Sequence, residues 1–245
     1  MPTEQRAVGG FERVVLRDVG VLDVGLGAEE ELSVEADANV LPRVLAEVQN
    51  GVLTLRLAKD WRDRIALLGR KRPPASIHYR LKVKRLSGLV IADRGRATLG
   101  EMRSPQLELE LSGSGKINCK MLSVERLTVK LSGAGDVVCQ ALKAQLLEVV
   151  FSGAGKIELA GSVESQRVEI SGAGNYDAGG LESQEVHVSI PGAGNAKVWA
   201  AQSLEAKVSG MGMVEYYGSP NLHKKVSGVA NIHELGVRGQ FIAGS

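Results

Sequence analysis

Residues 127–139 read LTVKLSGAGDVVC, and the chain returns to this pattern along most of its length. The corner phrase SGAG, or a near copy of it, begins at residues 112, 132, 152, 171, 191, 209 and 227, so successive copies are 18 to 20 residues apart. A worn copy, DRG, stands one step earlier at residues 93–95. A fixed period of this length is typical of solenoid proteins, in which each copy forms one coil.

The residues on both sides of each corner phrase alternate between apolar and polar. Before the phrase at 132, Leu127, Val129 and Leu131 are separated by Thr128 and Lys130. A period of two predicts strands, and one copy alone cannot bury its apolar side chains, whereas parallel stacking at ~4.8 Å does. We therefore predict an all-β fold, a parallel β-helix (solenoid) of about eight rungs of about 20 residues. Parallel crossovers are right-handed in nearly all proteins, which predicts a right-handed coil.

The glycines of the corner phrase are interpreted as structural. A sharp corner needs either a positive φ angle or room for the corner of the next rung, and glycine supplies both. The predicted corner residues are Gly113, Gly115, Gly133, Gly135, Gly153, Gly155, Gly172, Gly174, Gly192, Gly194, Gly210 and Gly212. A phosphate-binding loop is the competing interpretation, but such a loop occurs once and leads into a helix.

The first quarter of the chain lacks the corner phrase. Apolar alternation predicts strands at residues 11–16, 21–24, 31–35, 52–57 and 75–86, with a tight turn at Asn50-Gly51. Leu41, Val44, Leu45 and Val48 have helical spacing, which predicts one short helix over residues 38–48. We expect a β-rich cap and basic connection over residues 1–74, which covers the end of the β-helix repeats at residues 75–245.

Composition excludes several classes of protein. The chain has 245 residues, 44% of them hydrophobic, which is enough for a core and excludes wholesale disorder. No apolar run approaches the ~20 residues of a membrane helix, and the first thirty residues show no basic start followed by an apolar stretch, so we expect no transmembrane segment and see no signal peptide. With 2 cysteines, a disulfide scaffold is not supported.

Candidate chemistry is sparse. Stacking predicts that Glu158 and Asp177 are outward neighbours in adjacent rungs, where they form either an acid pair or a solvated face. Cys119 and Cys139 should also stack, and their inward placement favours two buried, reduced thiols over a disulfide or a metal site. The four histidines are scattered. We therefore predict no catalytic residues, no metal and no cofactor.

The strongest charged feature is the segment of residues 61–85. It carries nine basic residues against Asp63 alone, a net charge of +8, while the whole chain carries +2. The candidate patch for an anionic ligand consists of Arg70, Lys71, Arg72, Arg80, Lys82, Lys84 and Arg85. The alternative interpretation of this segment is a solvent-exposed loop followed by a strand with one solvent-exposed face, without a ligand. Nucleic acid is not expected, because no aromatic residues for base stacking interleave the charges.

The repeated phrase, the following Asp, Lys or Asn with an aliphatic residue, and the entry segments DANVL (37–41) and NGVLTL (50–55) resemble the bacterial family of putative auto-transporter adhesin head domains. The resemblance covers roughly residues 11–235. It implies a right-handed β-helix shaped like a pectin lyase but without the lyase's catalytic residues, an envelope or extracellular location, and a role in adhesion. Pro191 replaces the serine of one corner, and Ala230 replaces the last glycine of another.

These observations predict a non-enzymatic cell-envelope or surface protein that binds a polymeric or protein ligand, such as an anionic polysaccharide or a surface protein, through long side-chain ladders. Two alternatives remain open: a carbohydrate-active, pectin-lyase-like enzyme, and a cytoplasmic polymer-forming scaffold. If Met211 and Met213 face outward, the C-terminal rungs also offer an edge for self-association.

Overall fold

The computed structural model describes residues 1–58 and 77–238. The chain forms a β-solenoid, as the repeat predicts, and it has about seven turns where about eight were expected. Five long strands carry most of the coils, and each begins just after one corner phrase and ends at the next. These strands are β9 (Arg96–Leu111), β10 (Lys116–Leu131), β11 (Asp136–Phe151), β12 (Lys156–Ile170) and β13 (Asn175–Ile190).

The coils pair in parallel with the predicted register. Cys119 lies opposite Cys139, and Val129 lies opposite Val149. All four of these side chains are buried, so the interior is a set of apolar columns in which residues about 20 positions apart contact one another. We call the sheet before each corner, such as residues 126–131, the pre-corner face, and the sheet after each corner, such as residues 116–120, the post-corner face.

The corners show which of the two properties of glycine the fold uses. None of the twelve corner glycines has a positive φ. Instead, the corners approach one another closely: a Cβ on Gly133 would lie 1.9 Å from the carbonyl oxygen of Gly113. The amide of Ala134 donates to that same oxygen at 3.0 Å. Glycine is therefore required here because the backbone of the neighbouring corner occupies the space of a side chain.

The N-terminal strands continue both faces. They are β1 (Thr3–Arg6), β2 (Arg13–Leu16), β3 (Val21–Leu26), β4 (Glu31–Glu35), β5 (Val44–Gln49), β6 (Val52–Leu57), β7 (His78–Val83) and β8 (Gly88–Ile91). On the pre-corner face, β8 pairs with β9, β2 with β8, and β6 with β2, all in parallel. On the post-corner face, β3 pairs with β9, and β7 with β3, in parallel. Strands from both sides of the expected division between residues 74 and 75 therefore share the same ladders.

Antiparallel strands close the N-terminal end on both faces. Strand β5 pairs with β6, while β4 pairs with β7 and β1 with β4. The helix predicted over residues 38–48 is wrong except for a 3-10 turn at Leu41–Arg43. Residues 44–49 form strand β5, because the turn at Asn50 and Gly51, both with positive φ, folds this segment back onto β6.

At the C-terminal end, the strands of the described chain pair in parallel, without antiparallel strands like those at the N-terminal end. This end consists of β14 (Asn195–Val208), β15 (Met211–Tyr217), β16 (Asn221–Val226) and β17 (Val229–Gly236). Strand β16 pairs with β14, and β17 pairs with β15. Lys224 stands in register with the buried Ala206, so the last coil places an exposed lysine in a column that is apolar in the coils above it. Val229 in β17 is 78% exposed.

Candidate functional site

The outward positions of the post-corner face form polar columns that run along the solenoid. The first column follows the last residue of each corner phrase. Its members pair in the register expected from the sequence, in the order Arg96, Lys116, Asp136, Lys156, Asn175, Asn195, Met213 and Asn231. Within this column the side-chain amide of Asn195 donates to the side-chain oxygen of Asn175 at 3.1 Å. The surface is thus a regular ladder of hydrogen-bonding groups.

Pairs of opposite charges lie between neighbouring coils on this face. The ammonium of Lys116 lies 3.9 Å from the carboxylate of Asp136, and that of Lys197 lies 3.4 Å from Glu215. Because exposed pairs of this kind contribute little to stability, their main consequence is to cancel charge and leave a surface of mixed donors and acceptors.

The predicted neighbours Glu158 and Asp177 are in register. The carboxylate of Glu158 accepts from Lys156 at 2.7 Å, and Asp177 accepts from the amide of Gly179 at 3.2 Å. Each acid therefore has its own partner, so the two do not face a shared site as a general acid and base would. Nowhere in the described chain do three or more His, Cys, Asp or Glu side chains gather in a way that could hold a metal ion.

Cys119 and Cys139 stack in the interior as two buried free thiols, as the sequence predicts. A hydrogen bond with Cys139 and burial both raise the pKa of the Cys119 thiol well above its usual range. The apolar surroundings therefore keep this thiol protonated, and reactivity toward a ligand is not favoured.

Four residues of the predicted anionic patch lie within the described chain, and each has a carboxylate beside it. The pairs are Arg80 with Glu35 at 3.1 Å, Lys82 with Glu31 at 2.8 Å, Lys84 with Glu30 at 3.6 Å, and Arg85 with Glu12 at 3.5 Å. Most of these acids lie in β4 or just before it. Strand β4 is more than 40 positions from β7 in the sequence, but the two strands pair in the structure. Arg70, Lys71 and Arg72 lie outside the described residues. The basic segment thus meets a complementary acidic one.

Sequence analysis missed a buried polar cluster in the core. Gln166 occupies a core position in register with Leu147 and Val186. Its side-chain amide donates to the hydroxyl of Ser183 at 2.6 Å, and its oxygen accepts from the hydroxyl of Tyr176 at 2.7 Å. Burial raises the pKa of Tyr176 far above its usual value. With its polar atoms satisfied inside the solenoid, this cluster is structural rather than a ligand site.

A second cluster lies on the surface near the C-terminal end. Trp199 and Tyr217 are in register on adjacent coils. The guanidinium carbon of Arg238 lies 6.0 Å from the centre of the Trp199 ring and 5.1 Å from that of Tyr217. The same guanidinium donates to the carbonyl of Gly179. Arg238 thereby joins the residues after β17 to three earlier coils. Met211 and Met213 face outward and are 62% and 38% exposed.

A depression of about 690 Å³ lies at the N-terminal end of the post-corner face, and we call it the trough. Its polar lining comes from β1, β3, β4, β7, β9 and β10 and includes Gln5, Asp23, Ser33, Arg80, Thr98 and Lys120. Gly25 and Gly100 also line it. Sequence analysis found Arg80 and Lys82 here but missed the remaining residues.

Comparison with known proteins identifies the family. The family model described as "Putative auto-transporter adhesin, head GIN domain" matches residues 10–140 and 122–220. The chain belongs to this family. No curated protein matches the sequence.

Solved structures share the fold over nearly the whole chain. A putative adhesin from Parabacteroides merdae has 22% identity and a TM-score of 0.86, covering 96% of this chain and 95% of that one. A putative lipid binding protein from Parabacteroides distasonis has 20% identity and a TM-score of 0.86, covering 96% of both chains. A putative adhesin from the same organism has 20% identity and a TM-score of 0.83, again over 96% of both chains. At this level of identity the likeness establishes the fold alone.

The described ranges, 1–58 and 77–238, include no helix with the length and apolar character of a membrane span.

Proposed function

We propose that this protein is a non-enzymatic binding protein of the bacterial cell envelope, which holds a polysaccharide along the post-corner face. The observation that carries the proposal is the ladder of polar side chains that repeats on every coil, at a spacing of ~4.8 Å. A polymer with repeating units makes the same weak contact at successive rungs, and simultaneous contacts of this kind add up to useful affinity.

The family description and the names of two solved neighbours, both called putative adhesins, support a role in surface attachment. An envelope or extracellular location rests on the same support. A surface protein is the second class of ligand that such a face would accept. The cations Arg80, Lys82, Lys84 and Arg85 contribute hydrogen-bond donors more than net charge, because each lies beside a carboxylate.

Chemistry favours binding over catalysis. A polysaccharide lyase needs acids that converge on a cation and a nearby base. The acids Glu158 and Asp177 instead hold separate partners on an exposed face.

The proposal is tested with a panel of neutral and acidic polysaccharides immobilised on a sensor. Because both native cysteines are buried, a single introduced cysteine can be labelled selectively with a bulky polyethylene glycol chain. Val138→Cys places the label on the post-corner face, and Val150→Cys places it on the pre-corner face of the same strand, β11. We expect the label at 138 to block binding and the label at 150 to leave it intact.

Failure of the unlabelled wild type to bind any member of the panel contradicts the proposal. Equal inhibition by both labels also contradicts it, because the post-corner face would then have no special role. Incubation with the acidic polymers, followed by ultraviolet absorbance, tests the enzymatic alternative: accumulation of an unsaturated sugar product would establish a lyase.

A further inference from the structure

We propose that the trough is a saccharide-binding site and that its ligand is a hydroxyl-rich, essentially neutral stretch of polysaccharide. This inference rests on the proposed function and gives it a location and a ligand class. The trough lies on the post-corner face between β7 and β10, and its volume of about 690 Å³ is within the usual range for small-ligand sites.

The trough exists because two outward side chains are missing from the ladder. On β3 and β9, Val24 lies opposite Leu99, and the next residue on each strand is a glycine, Gly25 and Gly100. Lys82 lies opposite Gly25 on one side of this gap, and Lys120 lines the other side. From β7 to β10 the gap spans three strand spacings, or about 14 Å.

The fold itself does not need a glycine at either position. A Cβ on Gly25 would meet no atom within 4 Å, and one on Gly100 would lie 3.6 Å from the carbonyl oxygen of Val24, an ordinary contact. Neither residue has a positive φ. Glycine inside a strand is less stable than alanine by roughly 0.5–1 kcal/mol, and one use of such a glycine is to let a ligand approach the sheet closely.

The walls of the trough suit hydroxyl groups. Asp23 accepts hydrogen bonds, while Ser33, Thr98 and the amide of Gln5 both donate and accept. These side chains come from four different strands, so their positions are fixed by the sheet rather than by a mobile loop. A flat ring that carries hydroxyls at its rim would rest on the two glycines and reach these groups.

Charge selects among saccharides. The cations Arg80 and Lys82 are matched by Glu35 and Glu31. Of the remaining lining charges, Lys120 is positive and Asp23 is negative, and neither forms an ion pair with a described residue. The lining is therefore balanced, so a strongly anionic polymer gains no net attraction over a neutral one.

The experiment fills the trough without disturbing the coil. Gly25→Trp, the smaller Gly25→Gln and Gly25→Ala form a series that fills the gap to a decreasing extent. Val150→Trp places the same large ring on the pre-corner face. Far-ultraviolet circular dichroism and the thermal midpoint establish that each variant is folded.

We expect Gly25→Trp to weaken the binding of neutral polysaccharide at least tenfold, or about 1.4 kcal/mol, and Gly25→Gln to weaken it less. Val150→Trp should bind like the wild type, and Gly25→Ala should weaken binding less than Gly25→Gln does. If Gly25→Trp binds as tightly as the wild type, the trough is not the binding site, although the proposed function still stands. Strong preference for acidic polymers overturns the ligand class. Absence of any wild-type binding overturns both proposals.

Discussion

Replacing a corner glycine with alanine should damage the solenoid, whereas the same replacement in the trough should not. In Gly133→Ala the new Cβ would lie 1.9 Å from the carbonyl oxygen of Gly113, whereas an ordinary contact is about 3.4 Å. The two corners must therefore separate by about 1.5 Å, which stretches the 3.0 Å hydrogen bond from Ala134 to Gly113 beyond its useful range. In Gly25→Ala the Cβ meets nothing within 4 Å.

The magnitude follows from these two contacts. Overpacking costs about 1–3 kcal/mol, and the loss of one backbone hydrogen bond about 1 kcal/mol more, so Gly133→Ala should lower the free energy of unfolding by roughly 2–4 kcal/mol. Gly25→Ala should raise it by roughly 0.5–1 kcal/mol, because alanine restricts the unfolded chain more than glycine does. Urea unfolding followed by circular dichroism measures both midpoints.

The reasoning is refuted if the two alanine variants unfold at the same urea concentration. It is also refuted if Gly133→Ala lies within 1 kcal/mol of the wild type, because the close approach of corners would then not be what selects glycine.

Three further predictions concern the core, the C-terminal end and a surface ion pair. Gln166→Leu should destabilise the protein by about 1–3 kcal/mol in urea, although leucine fits the column, because the buried hydroxyl of Tyr176 loses its acceptor and that of Ser183 loses one of its two hydrogen bonds; a neutral or stabilising change contradicts this. Lys224→Val should give larger assemblies in light scattering, because it removes the charge that interrupts the open apolar column, whereas the outward Lys225→Val should not. The hydrogen bond from Lys130 lowers the pKa of Glu108. The ion pair of the Glu108 carboxylate therefore stabilises the folded protein at neutral pH, and this stabilisation is lost as the pH falls through the lowered pKa. Glu108→Gln should therefore differ most from the wild type near pH 7 and converge with it in acid; a constant difference contradicts the linkage.

The local pattern of residues 38–48 led to a wrong prediction of secondary structure. The segment of residues 38–48 has helical spacing, yet residues 44–49 form β5 because β6 supplies a hydrogen-bonding partner across the Asn50-Gly51 turn. The helical spacing of the apolar side chains is present in the sequence, but it carries no information about the strand with which this segment pairs. A prediction made from one segment cannot include the hydrogen bonds that another segment offers.

The candidate site was less accessible to sequence analysis than the fold. Arg80 and Lys82 were found from their charge, but the acids beside them, Glu35 and Glu31, come from β4, which pairs with β7 in antiparallel fashion. Sequence analysis therefore interpreted the basic segment as a strongly charged patch. In the structure, each described cation of that patch lies beside a carboxylate. Lys120 and Gly25 were missed because nothing in their local sequence marks them as neighbours.

In this protein the repeat itself determined the coil, its register and its buried columns. The reason is that a solenoid places residues a fixed number of positions apart in direct contact, so that periodicity along the chain is already a statement about neighbours in space. The tertiary structure alone decided what each glycine does. Gly133 and Gly25 are the same residue in the sequence, but one lies against the backbone of the next corner and the other faces open space, and only the arrangement of the surrounding strands separates a packing requirement from a candidate binding floor.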